Sequence, residues 1–282
     1  MYKKYEIVRK EALTPEIGLI SVYSPLIAKK AKAGQFIILR VDERGERIPL
    51  TISSCQDDCV TVIYQKIGAT TMALDELNQG DCLCDFVGPL GRPTEITDAK
   101  RVVVLGGGLG CAIALPVAKA FHDAGAQVDL IGGFKTKDIV ILEDEMKDAC
   151  TNLHICTDDG SYGYSGFVTG KLEELINEGN QFDLAVAIGP LVMMKFACRL
   201  TAKYNLPTIV SMNPIMIDGT GMCGGCRITV DGEVKFACVD GPDFDGHKVD
   251  FDEVIARAST YKEHEMAQKE KHACRLGGAI NG

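Results

Sequence analysis

Arg101-Val-Val-Val-Leu105-Gly-Gly-Gly-Leu-Gly110-Cys-Ala-Ile-Ala-Leu115 changes character twice within one short stretch. The β-branched run at its start reads as a strand buried on both faces, which is the habit of parallel sheets. Glycines at 106, 107, 108 and 110 follow, and then a helical stretch over 111–124. Glycines between a strand and a helix let the backbone approach a pyrophosphate, whose charge is favoured at the helix N-terminus. The glycine spacing departs from the usual dinucleotide fingerprint. Asp129, about 20 residues on, falls inside the next strand, where no ribose role is clear. A tight turn without a ligand is the plain alternative.

Working outward from this turn, strands are expected at 127–131, 153–156, 184–188 and 208–210, with helices at 138–149, 169–178 and 191–203. Such alternation indicates a parallel sheet with crossover helices. Upstream, residues 1 to about 97 read as β-rich. Short apolar runs such as 36–41 and 60–64 are separated by turn residues, and 78–81 looks like a turn. Their spacing suggests a small antiparallel barrel. Downstream, 213–246 is rich in Gly, Cys and Asp, with short strands at 227–230 and 234–237. So small a piece needs a staple. Residues 250–270 look helical and charged, and 274–282 look like a loose tail. The expected division is 1–97, 98–212, 213–250 and 251–282.

Bulk properties narrow the function. The 282 residues are enough for two domains and an appendage. A net charge of −9 argues against nucleic acid and against an anionic membrane surface. The start lacks a signal-peptide apolar core, and no run of about 18 apolar residues occurs, so a cytoplasmic protein is expected. Twelve cysteines in a reducing compartment point to metal ligation or plain burial rather than disulfides.

Two further constellations carry chemistry. Asp218-x4-Cys223-x2-Cys226-x11-Cys238 follows the C-x4-C-x2-C…C spacing of plant-type 2Fe–2S proteins, with Asp in place of the first Cys. A carboxylate is a harder donor than a thiolate but can ligate iron. Zinc would also accept three Cys and one Asp, and buried free cysteines are the third reading. In the β-rich part, Arg47-Ile-Pro-Leu-Thr-Ile-Ser53 and Lys66-Ile-Gly-Ala-Thr-Thr71 offer a guanidinium and hydroxyls that could meet a phosphate, a ribityl chain or a flavin edge. An edge strand with a proline would look similar. The five histidines are scattered and read as surface or satisfied core residues. No Ser-His-Asp or paired-carboxylate set is apparent.

Taken in order, these stretches resemble the ferredoxin-NADP reductase superfamily. Arg47-x-Pro-Leu-Thr-Ile-Ser53 resembles its flavin motif with one inserted residue. Ala33-Gly-Gln-Phe36 resembles the preceding barrel strand. Gly106 to Gly110, Gly132-Gly133, Thr157-Asp-Asp-Gly160 and Gly189-Pro190 resemble its pyridine-nucleotide domain. The cluster motif is similar to that of the electron-transfer subunits of dihydroorotate dehydrogenase B. Those carry four cysteines, so Asp218 is a departure. Asp218 followed by Met-Cys-Gly-Gly-Cys is most similar to the small subunits of NADH-dependent reduced ferredoxin:NADP oxidoreductases, which are electron-bifurcating.

The resemblance implies an antiparallel FAD-binding β-barrel, a Rossmann-like parallel-sheet NAD(P) domain and a small C-terminal iron–sulfur module. It implies FAD contacts at Arg47, Pro49, Leu50, Thr51, Ser53, Tyr64, Gln65, Gly68, Thr70 and Thr71. Gly107, Gly108, Gly110, Asp158 and Gly189 would border NAD(H), with NADP(H) as the other candidate. Asp218, Cys223, Cys226 and Cys238 would hold a 2Fe–2S cluster. The implied partner is a larger flavin and iron–sulfur subunit in a heterodimer, with ferredoxin served indirectly. Where many relatives have Cys-Gly-Pro, Ile188 precedes Gly189-Pro190, so the thiol's role near the nicotinamide does not carry over. The remaining cysteines match no ligand pattern. Pairs such as Cys55/Cys59 and Cys82/Cys84 read as buried small apolar side chains.

Overall fold

The structure is a computed structural model and describes residues 2–260. The first part forms one antiparallel sheet of six strands: β1 (Ile7–Thr14), β2 (Ile17–Tyr23), β3 (Phe36–Arg40), β4 (Ile48–Gln56), β5 (Cys59–Gln65) and β6 (Asp85–Leu90). Two short helices are inserted, α1 (Pro25–Ala28) after β2 and α2 (Ala69–Glu76) after β5. The strand order is β1-β2-β5-β4-β3-β6. The sheet curls into a barrel without a continuous closing ladder. Its seam is a single bridge between Glu6 and Cys82, flanked by Ile7 N–H donating to the Asp81 carbonyl at 2.9 Å. Ile20, Ile37, Leu39, Val60, Val62 and Tyr64 fill the interior.

The decisive stretch folds as expected, into β7 (Arg101–Gly107) and α3 (Gly110–Asp123). Next come β8 (Gln127–Phe134), α4 (Glu143–Asp148), β9 (Asn152–Thr157), β10 (Tyr164–Ser165), α5 (Val168–Asn177), β11 (Leu184–Ile188), α6 (Leu191–Lys203) and β12 (Thr208–Ser211). These strands pair in parallel in the order β10-β9-β8-β7-β11-β12. From β7 the chain winds to one side through β8 to β10, then crosses to the other side for β11 and β12. The reversal leaves a crevice at the carboxyl ends of β7 and β11, where open α/β sheets bind their ligands.

The helix expected over 138–149 is not continuous. A 3-10 turn, Lys137–Ile139, and the short α4 stand in its place, separated at Leu142 by a left-handed backbone with φ 56°. The β-branched run Ile139-Val-Ile141 is the physical reason, since such residues lose χ1 freedom in a helix.

After β12 come β13 (Arg227–Val230) and β14 (Glu233–Phe236), a small hairpin, then β15 (Asp243–Asp245) and α7 (Phe251–Ala258). β15 was not foreseen. It pairs antiparallel with β12 and so joins the larger sheet. α7 covers the start of the helix expected over 250–270. Residues 259–260 form a turn instead, and the remainder of that expected helix and the tail at 274–282 lie outside the described residues. Among the described residues no helix is long and apolar enough to cross a membrane.

The larger sheet is sandwiched between helices. α3 packs with β7 and β8 through Ala114, Val117, Ala118 and Phe121, and α5 and α6 cover the other face. Phe121 is fully buried. Phe121→Ala is expected to cost about 3–5 kcal/mol, read as a lower denaturant midpoint with an unchanged slope.

Candidate functional site

A cleft of about 970 Å³ opens between the barrel and the switch point of the parallel sheet. That is at the top of the ~300–1,000 Å³ range of ligand sites, and suits an extended ligand. From the barrel, Pro49, Leu50, Thr51 and Gln65 reach its wall, and from the sheet Gly107, Gly108, Gly110, Asp158 and Gly189 do. Nine expected contacts, widely separated in sequence, are thus brought together. Register explains the barrel side, because Thr51 and Leu50 on β4 pair with Phe36 and Ile37 on β3.

At Gly110 an added Cβ would lie 2.4 Å from the Ile188 carbonyl oxygen, so only glycine lets α3 start against the end of β11. Gly107 lies beneath the Met193 side chain, whose sulfur stands 2.5 Å from where a Cβ would be.

The other barrel candidates stand back from the cleft wall. Tyr64 is fully buried in the barrel and donates to Asp75 Oδ1 at 3.0 Å. Burial, with Asp75 beside it, pushes its hydroxyl above the usual range. Thr71 Oγ1 accepts from Gly68 N–H at 3.1 Å and ties off the start of α2. Thr70 donates to Glu46 at 3.2 Å. Ser53 is half-buried on β4. Arg47 Nη1 is 3.6 Å from Asp85, while its Nε is buried with no partner among the described residues. Such an orphaned donor suits a phosphate oxygen.

The second centre is the loop after β12. Asp218 accepts from Thr220 N–H, from Thr220 Oγ1 at 2.7 Å and from Cys223 N–H at 2.8 Å. The Thr220 contacts, followed by Cys223, hold its carboxyl down at about 2. Cys226 Sγ accepts from Cys238 N–H at 3.4 Å, and Cys223 Sγ from Gly225 N–H at 3.4 Å. Burial, with Cys226 beside it, pushes the Cys238 thiol up to about 12. The four candidates therefore fall into two touching pairs, Asp218 with Cys223 and Cys226 with Cys238. Among the described residues no three His, Cys, Asp or Glu side chains converge as ligands of a single ion. The backbone is left-handed at Gly219, φ 76°, where a Cβ would also strike Leu90 and Ile38 of the barrel.

Sequence reasoning missed what joins the two centres. Phe36 and Met216 line the cleft and also pack in one apolar cluster with Cys226 and Cys238. It also missed Asp243, which accepts from Thr94 Oγ1 at 2.6 Å and pins the link between barrel and sheet. Burial raises the Asp243 carboxyl, opposed by the hydroxyls of Thr94 and Ser211. Nothing in the local sequence distinguishes these side chains from ordinary core or surface residues.

The histidines within the described residues include two that are satisfied locally, His154 by Asp129 at 3.0 Å and His247 by Thr201 at 3.0 Å. The cysteine pairs expected to be buried are not uniformly so. Cys55 and Cys82 are exposed, Cys59 is buried and Cys84 is intermediate. Cys55 lies one residue from the end of β4, paired with Val60 beside the turn to β5, and Cys82 lies on the barrel seam.

The family model for the iron–sulfur cluster binding domain of dihydroorotate dehydrogenase B matches residues 213–250. A protein of Thermotoga maritima, a homolog of the electron transfer subunit of dihydroorotate dehydrogenase B (NAD(+)), is 42% identical over 268 residues, 94% of each chain. A chain in the solved structure of NADH-dependent reduced ferredoxin-NADP oxidoreductase, described for flavin-based electron bifurcation, is 41% identical. The match covers 96% of this chain and 98% of that one, with a TM-score of 0.91. The ferredoxin reductase of carbazole 1,9a-dioxygenase shares the fold alone, at 17% identity and a TM-score of 0.58 over 72% of this chain and 65% of that one. Fold and relatives together support FAD, an iron–sulfur cluster and NAD(H) as cofactors of an oxidoreductase of the ferredoxin reductase type. With identity of this extent along nearly the whole chain, it belongs to the family of electron-transfer subunits of dihydroorotate dehydrogenase B and their homologues.

Proposed function

We propose that this chain moves electrons between NAD(H), FAD and a 2Fe–2S cluster, and exchanges them with a larger flavin and iron–sulfur subunit of a bifurcating ferredoxin:NADP oxidoreductase. The observation that carries this reading is the apolar wall of Phe36 and Met216, which is shared by the cleft and the thiols of Cys226 and Cys238. When bound, FAD supplies hydride exchange with nicotinamide and single-electron exchange with the cluster. The chain supplies position and dryness. Gly107, Gly108 and Gly110 let the nucleotide backbone approach the start of α3. Arg47 offers its unpaired Nε to a flavin phosphate, and Pro49, Leu50, Thr51 and Gln65 shape the flavin wall. Asp218, Cys223, Cys226 and Cys238 would hold the cluster. Phe36 and Met216 exclude water between the two centres.

The division into 1–97, 98–212, 213–250 and 251–282 follows this assignment of cofactors. A second reading, the electron-transfer subunit of a dihydroorotate dehydrogenase, draws support from the family model at 213–250. Asp218, at the first ligand position, favours the bifurcating type by its sequence resemblance.

Anaerobic purification tests both the reading and its rivals. About two irons, two sulfides and one flavin per chain are expected. NADH should bleach the flavin faster than NADPH does. Zinc in place of iron would return the loop to a structural staple on a non-catalytic binding module. The co-purifying subunit, assayed with dihydroorotate and with reduced ferredoxin plus NADP, separates the two enzyme readings.

A further inference from the structure

α7 runs alongside the cysteine loop, and one of its side chains closes onto that loop. Arg257, half-buried in the last turn of α7, donates from Nη2 to the carbonyl of Gly225 at 3.1 Å. The helix that carries it is firmly held. Asp250 caps its N-terminus at Glu253 N–H, 3.0 Å, and Lys195 of α6 is bonded to Asp252. Phe251 and Val254 are buried with Ile228 and Val230 of the hairpin.

The consequence falls on Cys226. The peptide from Gly225 to Cys226 is trans. Its N–H therefore points to the side opposite its carbonyl. With the carbonyl fixed on Arg257, the Cys226 amide is turned away from α7. Cys226 is 1% exposed, and its amide donates to no group among the described residues. Buried backbone donors without a partner are rare. Neighbouring amides are already committed: Gly225 to the Cys223 sulfur, Cys238 to the Cys226 sulfur, Cys223 to Asp218. Among the described residues the Cys226 amide is a donor on this loop that is both buried and unspent, as are those of Met216 and Gly219, and it is the one whose peptide Arg257 holds.

We propose that Arg257 is a positioning residue for the cluster, which fixes the Gly225–Cys226 peptide so that the Cys226 amide serves the cluster sulfurs and raises its reduction potential. The proposal rests on the iron–sulfur reading of 218–238. Hydrogen bonds to sulfur stabilise the more negative, reduced cluster, so loosening the peptide lowers the potential. Arg227 provides an internal comparison. Its exposed guanidinium donates to the Gly224 carbonyl at 3.4 Å and leaves the Gly225–Cys226 peptide alone.

The test is a redox titration of the anaerobically purified full chain, followed by electron paramagnetic resonance of the reduced cluster. In Arg257→Ala and Arg257→Gln the reduced fraction at a fixed poise should fall about tenfold, which is ~59 mV for a one-electron couple. The spectrum should change with it, while flavin content and NADH bleaching stay as in the parent. Arg257→Lys should recover most of the shift. Arg227→Ala, which removes the same charge nearby, should stay within about twofold of the parent. Parental potential and spectrum in Arg257→Ala and Arg257→Gln would overturn the proposal. So would an equal shift in Arg227→Ala, because charge alone would then account for it. If Arg257→Ala holds no iron, the Gln and Lys variants decide: Gln lower than Lys supports the proposal, and equal potentials sink it. A parent chain free of iron is a different result, which removes the iron–sulfur reading underneath.

Discussion

Asp218→Ala is expected to strip the chain of most of its iron while leaving its flavin in place. Asp218 is held in place by the chain itself, with Thr220 and Cys223 donating to its two oxygens. These contacts hold its carboxyl at about 2. A depressed carboxyl keeps its charge above the ordinary carboxylate range and loses it only as pH falls towards 2. At every working pH the group is therefore an anionic oxygen donor. Alanine removes that donor and leaves the Cys223 amide unpaired as well. Loss of an outer partner alone costs roughly 10–100-fold in metal affinity, and loss of a ligand should cost at least that. The cleft wall proposed for the flavin, at Pro49 to Thr51 and Gln65, lies on the barrel and should be unaffected. Asp218→Cys should keep the cluster, with an altered paramagnetic spectrum and potential, since sulfur replaces oxygen on iron. Iron and flavin assays on the same samples check this. A full iron complement in Asp218→Ala would mean that another group completes the site.

Gly110→Val should abolish nucleotide use. Its Cβ would meet backbone on two sides, 2.4 Å from the Ile188 oxygen and 2.8 Å from Gly189 Cα. No rotamer relieves a backbone contact, so α3 must move off the end of β11. Overpacking of this kind costs about 1–3 kcal/mol. The larger effect is functional. A displacement of the order of 1 Å at a positioning element can cost about 100-fold in rate, and the whole N-terminal turn of α3 would shift. NADH bleaching of the flavin should fall by at least that factor, with flavin still bound. Gly107→Ala should be milder, because its nearest contact is the far end of the flexible Met193 side chain, with Pro190 Cδ next at 3.0 Å and no backbone atom against it. Equal losses in the two variants would show that the contact with β11 is not what matters.

How much of this could be read beforehand differs between the parts. Local patterns were sufficient where one element carries its own signal. The run 101–105 with its glycines announces a buried strand and a turn, and the helix expected over 191–203 from the strand–helix alternation coincides with α6. The barrel was legible as a class but not as a ladder, because β1 carries a contiguous polar run, Arg9-Lys-Glu11, and β2, buried almost throughout, takes as its second neighbour β5, far along the chain. The site was half legible. Pro49, Leu50 and Thr51 were found through a motif, whereas Phe36 and Met216 meet only because the 213–250 stretch folds back onto β3. The same applies to Arg257. Nothing in Ile255-Ala-Arg-Ala258 marks one arginine as the partner of a peptide over 30 residues earlier, at 225.

β15 carries a consequence of another kind. β12 has β11 on one side and β15 on the other, and β15 belongs to the stretch that the iron–sulfur model matches. Without it, Thr208-Ile-Val-Ser211 would be a bare sheet edge, and such edges recruit other chains. β15 is three residues long and carries Asp243 and Asp245, which makes it a poor template for further pairing. The stretch that the iron–sulfur model matches therefore also covers this edge of the larger sheet. A chain cut after residue 212, or one whose loop stays unfolded for want of iron, would be driven towards self-association, and metal supply would be felt in the cell as a change in the amount of usable protein as well as in its activity.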